Sequence, residues 1–213
     1  PPPVHVLAVA ARSEAALTRL VKSYRERLSG LRDEAEVTAL CNAANTRGQH
    51  FREARRAVAV GNASELAAAL AQPRDEGRIT PKQRGVAFLF TGQGSQYVGM
   101  GRGLYEQYPV FRDVLDQCDR LLAGKREQRL LEVLYPSSPE AEASAGAYLA
   151  RAEYTQPALF ALEYALAKLW QSLGVMPSVV MGHSLGELSA AALANVFSLE
   201  DGLMLVEARG RLM

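Results

Sequence analysis

PSVVMGHSLGE, residues 177–187, joins a short apolar run to a stretch rich in alanine and leucine. The apolar run predicts a strand, and the stretch after it predicts a helix. A Gly-x-Ser-x-Gly sequence at such a junction places its serine on a tight, strained turn, because the flanking glycines leave room for the backbone to fold. The segment therefore predicts that Ser184 is a nucleophile projecting above a sheet, with an ordinary turn serine as the alternative.

Two groups are expected to stabilise an oxyanion beside this serine. The amide of Leu185 lies at the start of the predicted helix, where it can donate a hydrogen bond. The loop TGQGSQ at residues 91–96 follows an apolar run, residues 86–90, which predicts a strand buried on both faces. A backbone amide of that loop, or Gln93, would complete the oxyanion hole. A dinucleotide-binding loop is the alternative, but the third glycine of that motif is absent.

The chain is expected to form two α/β units, residues 1–80 and 85–213. A polar stretch at 72–84 contains prolines and glycine among charged residues, which is typical of an exposed connection. The expected elements of the first unit are a strand at 4–9, a helix capped by Ser13, a helix at 34–45, a strand at 57–60 and a helix opened by Ser64. In the second unit we expect strands at 86–90 and in the apolar run before Gly182, and a helix after Pro109. Loop and solvated helix are expected at 135–153, followed by a buried helix capped by Thr155 and a last helix capped by Ser198.

Composition excludes several classes of function. The 213 residues are 48% hydrophobic and carry a net charge of +1, so no nucleic-acid partner is expected. The two cysteines, Cys41 and Cys118, have neither metal-ligand spacing nor a disulfide pattern, so no metal is expected. No apolar run approaches the roughly 20 residues of a membrane span, and Pro1-Pro2-Pro3 does not open a signal peptide. A cytoplasmic protein without membrane contact is the expectation.

Two motifs together support a family resemblance. GQGSQ at 92–96 with GHSLGE at 182–187 resembles the malonyl-type acyltransferase family of polyketide and fatty acid synthases. The segment from Asn42 to Phe51 is similar to the linker that joins a ketosynthase to its acyltransferase in modular synthases. The resemblance thus implies a linker domain at 1–80, then at 85–213 the amino-terminal part of an α/β-hydrolase-like acyltransferase domain with a parallel sheet, from a type I modular polyketide synthase.

The same resemblance implies a role for each site residue. Ser184 would accept the acyl group as an ester, and Gln93 with the Leu185 amide would form the oxyanion site. Arg209 would hold the free carboxylate of malonate, a task suited to a two-pronged guanidinium. A surface arginine is the alternative there. Gln156 would line the pocket, although a polar residue near a helix start explains it nearly as well.

A serine nucleophile also needs a general base, usually histidine. The three histidines are His5, His50 and His183, and none follows Ser184, whereas the family places its catalytic histidine after the serine. We expect His183 to be a substrate-site residue that packs or hydrogen-bonds nearby, and the other two to be structural. The chain is therefore expected to be an amino-terminal portion that is incomplete for catalysis.

The activity implied is transfer of a malonyl group from coenzyme A to the phosphopantetheine thiol of an acyl carrier protein, in polyketide biosynthesis. Malonyl is favoured because YTQP at 154–157 and Leu185 are similar to malonyl-selecting members rather than methylmalonyl-selecting ones. No bound cofactor is expected, only a coenzyme A thioester as substrate. Expected partners are the carrier protein and the ketosynthase domain of the same synthase. The alternatives are an esterase or thioesterase of the α/β-hydrolase type and a non-catalytic linker and docking fragment.

Overall fold

The computed structural model describes residues 4–31, 33–48, 51, 53–72 and 85–213. The chain divides into two compact units, Pro1–Thr80 and Pro81–Met213. Each has its own buried apolar cluster. Three predicted features lie outside the described residues: the triple proline, His50 and most of the expected connection, residues 73–84. The assignment of the first unit as a linker stays a prediction.

The first unit is a small α/β arrangement around a two-stranded sheet. Its elements are β1 (His5–Ala11), α1 (Glu14–Leu28), α2 (Glu34–Arg47), β2 (Ala54–Val60) and α3 (Ala63–Ala71). The strands are antiparallel, with His5 opposite Val60 and Ala11 opposite Ala54. Apolar side chains at helical spacing on α1, including Leu17 and Val21, pack into the core of this unit.

Side-chain amides and hydroxyls fix the ends of these elements. Ser13 caps α1 as predicted, since its side chain accepts a hydrogen bond from the Ala16 amide. The prediction that Ser64 opens α3 is wrong: Asn62 is the cap and accepts from the Glu65 amide, because it is Asn62 that has the extended backbone before the helix.

The side chain of Asn45, in α2, makes two hydrogen bonds to the backbone of β1. It accepts from the Ala8 amide at 2.9 Å and donates to the Val6 carbonyl oxygen at 2.7 Å.

The second unit packs helices around a parallel pair of strands. Its elements are β3 (Val86–Phe90), α4 (Arg102–Gln107), α5 (Pro109–Leu121), α6 (Leu130–Leu134), α7 (Pro139–Leu149), α8 (Ala152–Ser172), β4 (Pro177–Gly182), α9 (Leu185–Leu193) and α10 (Leu199–Leu212). The register pairs Phe90 with Gly182, so the two strands end side by side. The predicted α/β class with a parallel sheet is confirmed. Among the described residues, no helix is both long and apolar enough to span a membrane.

The prediction that the strand at 86–90 is buried on both faces is wrong. Phe90 is 8% exposed and Phe88 packs against the same core, but Leu89 on the opposite face is 72% exposed. Met181 of the neighbouring strand is 62% exposed. Within the described residues β3 pairs with β4 only, and the core covers just one face of the pair. An apolar run shows that both faces can be buried, whereas the neighbouring elements determine whether they are.

Helix α8 is the central helix of the second unit and begins earlier than predicted. Its cap is Arg151, not Thr155, which is a residue of the first turn. The Thr155 side chain is fully buried, and its hydroxyl donates to the carbonyl oxygens of Leu149 at 2.5 Å and Arg151 at 3.1 Å. Along the helix, apolar residues such as Phe160 are buried on most sides, as predicted. The expected solvated segment before it includes α7, whose residues Ala145 and Leu149 are in fact buried.

Candidate active site

Ser184 lies at the turn between β4 and α9 in a strained backbone conformation. Its φ is 54° and its ψ is −110°, values that cost a residue other than glycine about 1–3 kcal/mol. The turn is held by two backbone bonds: His183 N donates to the Phe90 oxygen at 3.1 Å, and Gly186 N donates to the His183 oxygen at 3.0 Å. The serine side chain is exposed. The structure thus contains the strand, sharp turn and helix that the sequence predicts.

Glycines are required on both sides of this turn. A Cβ atom at Gly182 would lie 2.0 Å from the carbonyl carbon of Gly186, and one at Gly186 would lie 2.4 Å from the oxygen of Phe90. All of these are backbone atoms, which cannot move aside as a flexible side chain can. The end of β3 and the start of α9 therefore touch only because residue 186 has no side chain.

The two expected oxyanion groups lie on either side of the turn. Leu185 is the first residue of α9, and the first amide of a helix has no acceptor within that helix. The loop that contains Gln93 begins directly after β3, beside the turn, because Phe90 is paired with Gly182. Gly92 approaches the turn so closely that a Cβ there would lie 3.0 Å from Nδ1 of His183.

A chain of hydrogen bonds connects four of the predicted site residues. Arg209 Nη2 donates to Ser184 Oγ at 3.2 Å, and Nη1 of the same guanidinium donates to Gln156 Oε1 at 2.8 Å. Gln156 Nε2 in turn donates to Gln93 Oε1 at 3.4 Å. Each residue belongs to a different element, so the tertiary structure brings them together. The Gln156 amide also donates to Met213 Sδ at 3.1 Å.

Burial and packing show whether Gln156 and Arg209 are ordinary solvated residues, the alternative considered for each. Gln156 is fully buried and lies beyond the first turn of α8, so it is not a solvated residue at a helix start. Arg209 is partly buried and its guanidinium contacts Ser184 Oγ. Its neighbour Gly210 brings α10 against the start of α8, where a Cβ would lie 2.7 Å from the Ala152 oxygen.

Glu163 lies beside the candidate site and was not predicted from the sequence. Its Oε1 accepts from the amide of Thr91 at 2.7 Å and from the Thr91 hydroxyl at 2.8 Å, and its Oε2 accepts from the Ser189 hydroxyl at 2.6 Å. The residue is 7% exposed. Burial raises the pKa of Glu163, and the hydrogen bonds from Ser189 and Thr91 oppose that rise. The sequence feature that could have identified Glu163 is an acidic residue in the most apolar part of α8.

Of the histidines, the structure describes His5 and His183, and neither ring is hydrogen-bonded to Ser184. The His183 ring lies against Gly92, as expected for a residue that packs beside the turn. His5 is buried in the first unit with Nε2 2.5 Å from Glu34 Oε2, in agreement with a structural role. In the described part of the chain, no three His, Cys, Asp or Glu side chains are grouped as a metal site would need. The expectation that no metal is bound remains a prediction.

Residues 87–213 match the family model of the acyl transferase domain. These residues include the turn at Ser184, the Gln93 loop and Arg209. The chain belongs to this acyl transferase domain family. A polyketide synthase, GfsB of Streptomyces halstedii, is 43% identical over 219 aligned residues, which cover 99% of this chain.

Two solved structures extend the comparison. The acyl transferase domain of ZmaA superposes with a TM-score of 0.84 at 36% identity, over 100% of this chain and 49% of that one. A malonyl CoA-acyl carrier protein transacylase from Clostridium perfringens superposes with a TM-score of 0.53 at 32% identity, over 61% of this chain and 38% of that one. The acyl transferase chain described here thus spans about half of the solved ZmaA domain and 4% of GfsB.

Proposed function

We propose that this acyl transferase domain moves a malonyl group from coenzyme A to the phosphopantetheine thiol of an acyl carrier protein, through an ester on Ser184. The observation that carries the proposal is the position of Arg209. One nitrogen of its guanidinium is 3.2 Å from the nucleophile, and the other is bound to the buried Gln156. A planar cation fixed beside the reacting oxygen suits an acyl group that has a carboxylate of its own.

The reaction has two half-reactions at one site. Ser184 Oγ attacks the thioester carbonyl, the carbon–sulfur bond breaks, and coenzyme A leaves as the thiol with the proton that the serine loses. The carrier thiol then attacks the seryl ester, the carbon–oxygen bond breaks, and the thiol proton returns to Ser184. The Leu185 amide and the Gln93 loop stabilise the oxyanion in both steps. We assign no general base among the described residues, because the His183 ring lies against Gly92.

The comparisons support the donor and the acceptor by analogy. The Clostridium perfringens neighbour is named for malonyl-coenzyme A and acyl carrier protein, and GfsB is a polyketide synthase. In such a synthase the first unit would be the linker to the ketosynthase domain, which makes that domain a second proposed partner. The strained Ser184 and its contact with Arg209 argue against a purely structural docking role, and the arginine argues against a simple esterase.

The test is acylation of the full natural protein that contains this chain, followed by intact mass spectrometry and peptide mapping. The protein is mixed separately with malonyl-, methylmalonyl- and acetyl-coenzyme A. We expect a malonyl adduct on Ser184 that an acyl carrier protein discharges, and no adduct in Ser184→Ala. An unmodified Ser184 with all three donors, or an adduct that water removes as fast as the carrier does, would contradict the proposal.

Arg209→Lys tests the carboxylate contact. Lysine keeps the charge but cannot bind a carboxylate with two parallel hydrogen bonds. Since a charged hydrogen bond is worth about 1.5–3 kcal/mol, malonyl loading should fall roughly 10- to 100-fold. Acetyl loading, which presents no carboxylate, should change much less. Equal losses for the two donors would mean that Arg209 serves the nucleophile rather than the substrate carboxylate.

A further inference from the structure

Glu163 connects the two segments that carry the proposed oxyanion donors. On one side it binds Thr91, two residues before Gln93. On the other it binds Ser189, which lies one helical turn after Leu185 in α9. We propose that Glu163 is a positioning residue, which sets the separation between the Gln93 loop and the start of α9 and thereby the geometry of the oxyanion hole. This inference rests on the proposed acyl transfer.

The support of this bridge is rigid. Glu163 lies in the middle of a 21-residue helix, and its neighbours Ala161, Tyr164 and Ala165 are all buried in the core. A displacement of Thr91 or Ser189 would therefore have to stretch hydrogen bonds of 2.6–2.8 Å to a fixed carboxyl group.

The Thr91 end of the bridge is connected to the rest of its loop. The hydroxyls of Thr91 and Ser95 are 3.1 Å apart, and the Ser95 hydroxyl lies 3.5 Å from the Gly92 oxygen. These contacts connect Thr91 to the residues on both sides of Gln93. At the other end, the Ser189 side chain is fully buried, so its hydroxyl has no access to bulk water as a substitute for the carboxylate.

Burying the carboxyl group of Glu163 in the protein core has a cost in free energy. An apolar side chain of similar size would pack at lower cost but would leave the buried Ser189 hydroxyl and the Thr91 amide without this acceptor. The two oxygens of Glu163 bind the two segments at once. That geometry is suited to alignment, since an error of about 1 Å in a catalytic site can cost 10²-fold in rate.

The experiment compares Glu163→Ala, Glu163→Gln and the control Leu115→Ala in the full natural protein. Leu115 is fully buried in α5, which carries neither Thr91 nor Ser189, so its truncation reduces stability without removing a hydrogen bond to Glu163. The rate of Ser184 acylation by malonyl-coenzyme A is measured below the melting temperature of every variant. We expect Glu163→Ala to lower kcat about 10- to 100-fold with KM changed less than about threefold, because alignment acts in the transition state.

The conservative variant Glu163→Gln is expected to restore most of the acylation rate. Its amide oxygen can still accept from Thr91 while its nitrogen donates to Ser189, so kcat should return to within about fivefold of wild type. Ser189→Ala should lower kcat by a smaller factor than Glu163→Ala, and the double variant should be no slower than Glu163→Ala alone. The proposal is overturned if Glu163→Ala reacts at the wild-type rate, or if Leu115→Ala slows the reaction as much at an equal loss of melting temperature.

A second reagent separates this inference from the proposed function. A fluorophosphonate phosphonylates an activated serine and uses the oxyanion site without a coenzyme A donor. If the wild-type protein reacts with the fluorophosphonate but with none of the thioesters, the proposed function fails. The same variant series then decides the role of Glu163 from the phosphonylation rates. A wild-type protein that reacts with neither reagent overturns both.

Discussion

Replacing Gly186 by alanine should separate the two sides of the proposed oxyanion hole. The added Cβ would lie 2.4 Å from the Phe90 oxygen and 2.6 Å from the Thr91 oxygen. Ordinary contact begins at 3.4 Å, so α9 must move away from β3 by about 1 Å. Such overpacking costs about 1–3 kcal/mol of stability. A misalignment of about this size is expected to slow acylation of Ser184 roughly 100-fold.

The assay follows acylation of Ser184 by mass spectrometry and the melting temperature by circular dichroism. Gly146→Ala is the matched control, because a Cβ there meets no atom within 4 Å and the site is exposed in α7. It should raise stability by about 0.5–1 kcal/mol, the usual gain for glycine to alanine within a helix, and leave acylation unchanged. A Gly186→Ala protein that is acylated within threefold of the wild-type rate would refute the reasoning.

Three further predictions concern stability and reactivity. Asn45→Ala should destabilise the first unit by about 1–3 kcal/mol in urea unfolding, because the amide of Ala8 and the oxygen of Val6 lose their partner. Burial, with a smaller effect of the Asp119 charge, raises the pKa of Cys118 to about 12, so iodoacetamide at about pH 8 should label it only after unfolding. Because burial raises the pKa of Glu163, the folded chain binds the carboxyl proton of Glu163 more tightly than the unfolded chain does. The stability of wild type relative to Glu163→Gln should therefore be highest below the ordinary value of 4.5 and fall as pH rises through the raised pKa.

Local patterns were sufficient for most elements of the fold. Ser13 and Ser198 cap their helices as predicted, and the helix after Pro109 has the expected buried face. Each of these rests on residues a few positions apart, where backbone geometry and side-chain chemistry act directly. The predicted helix start failed at Ser64 because Asn62, two residues earlier, supplies the cap. It failed at Thr155 because α8 begins at Ala152 after Arg151, which makes no side-chain cap hydrogen bond, so no capping residue marks that start in the sequence.

The sharp turn at Ser184 could be predicted from the sequence alone, since strand, glycine, serine, glycine and helix are consecutive. The Arg209 role came only from family resemblance, and the structure adds its contact with Ser184, 25 positions away. The packing of whole elements, by contrast, decided that Glu163 joins Thr91, 72 positions away, to Ser189. It also decided that Leu89 is exposed. Contacts of this kind depend on how whole elements pack, and no local periodicity or motif encodes which buried acid faces which loop.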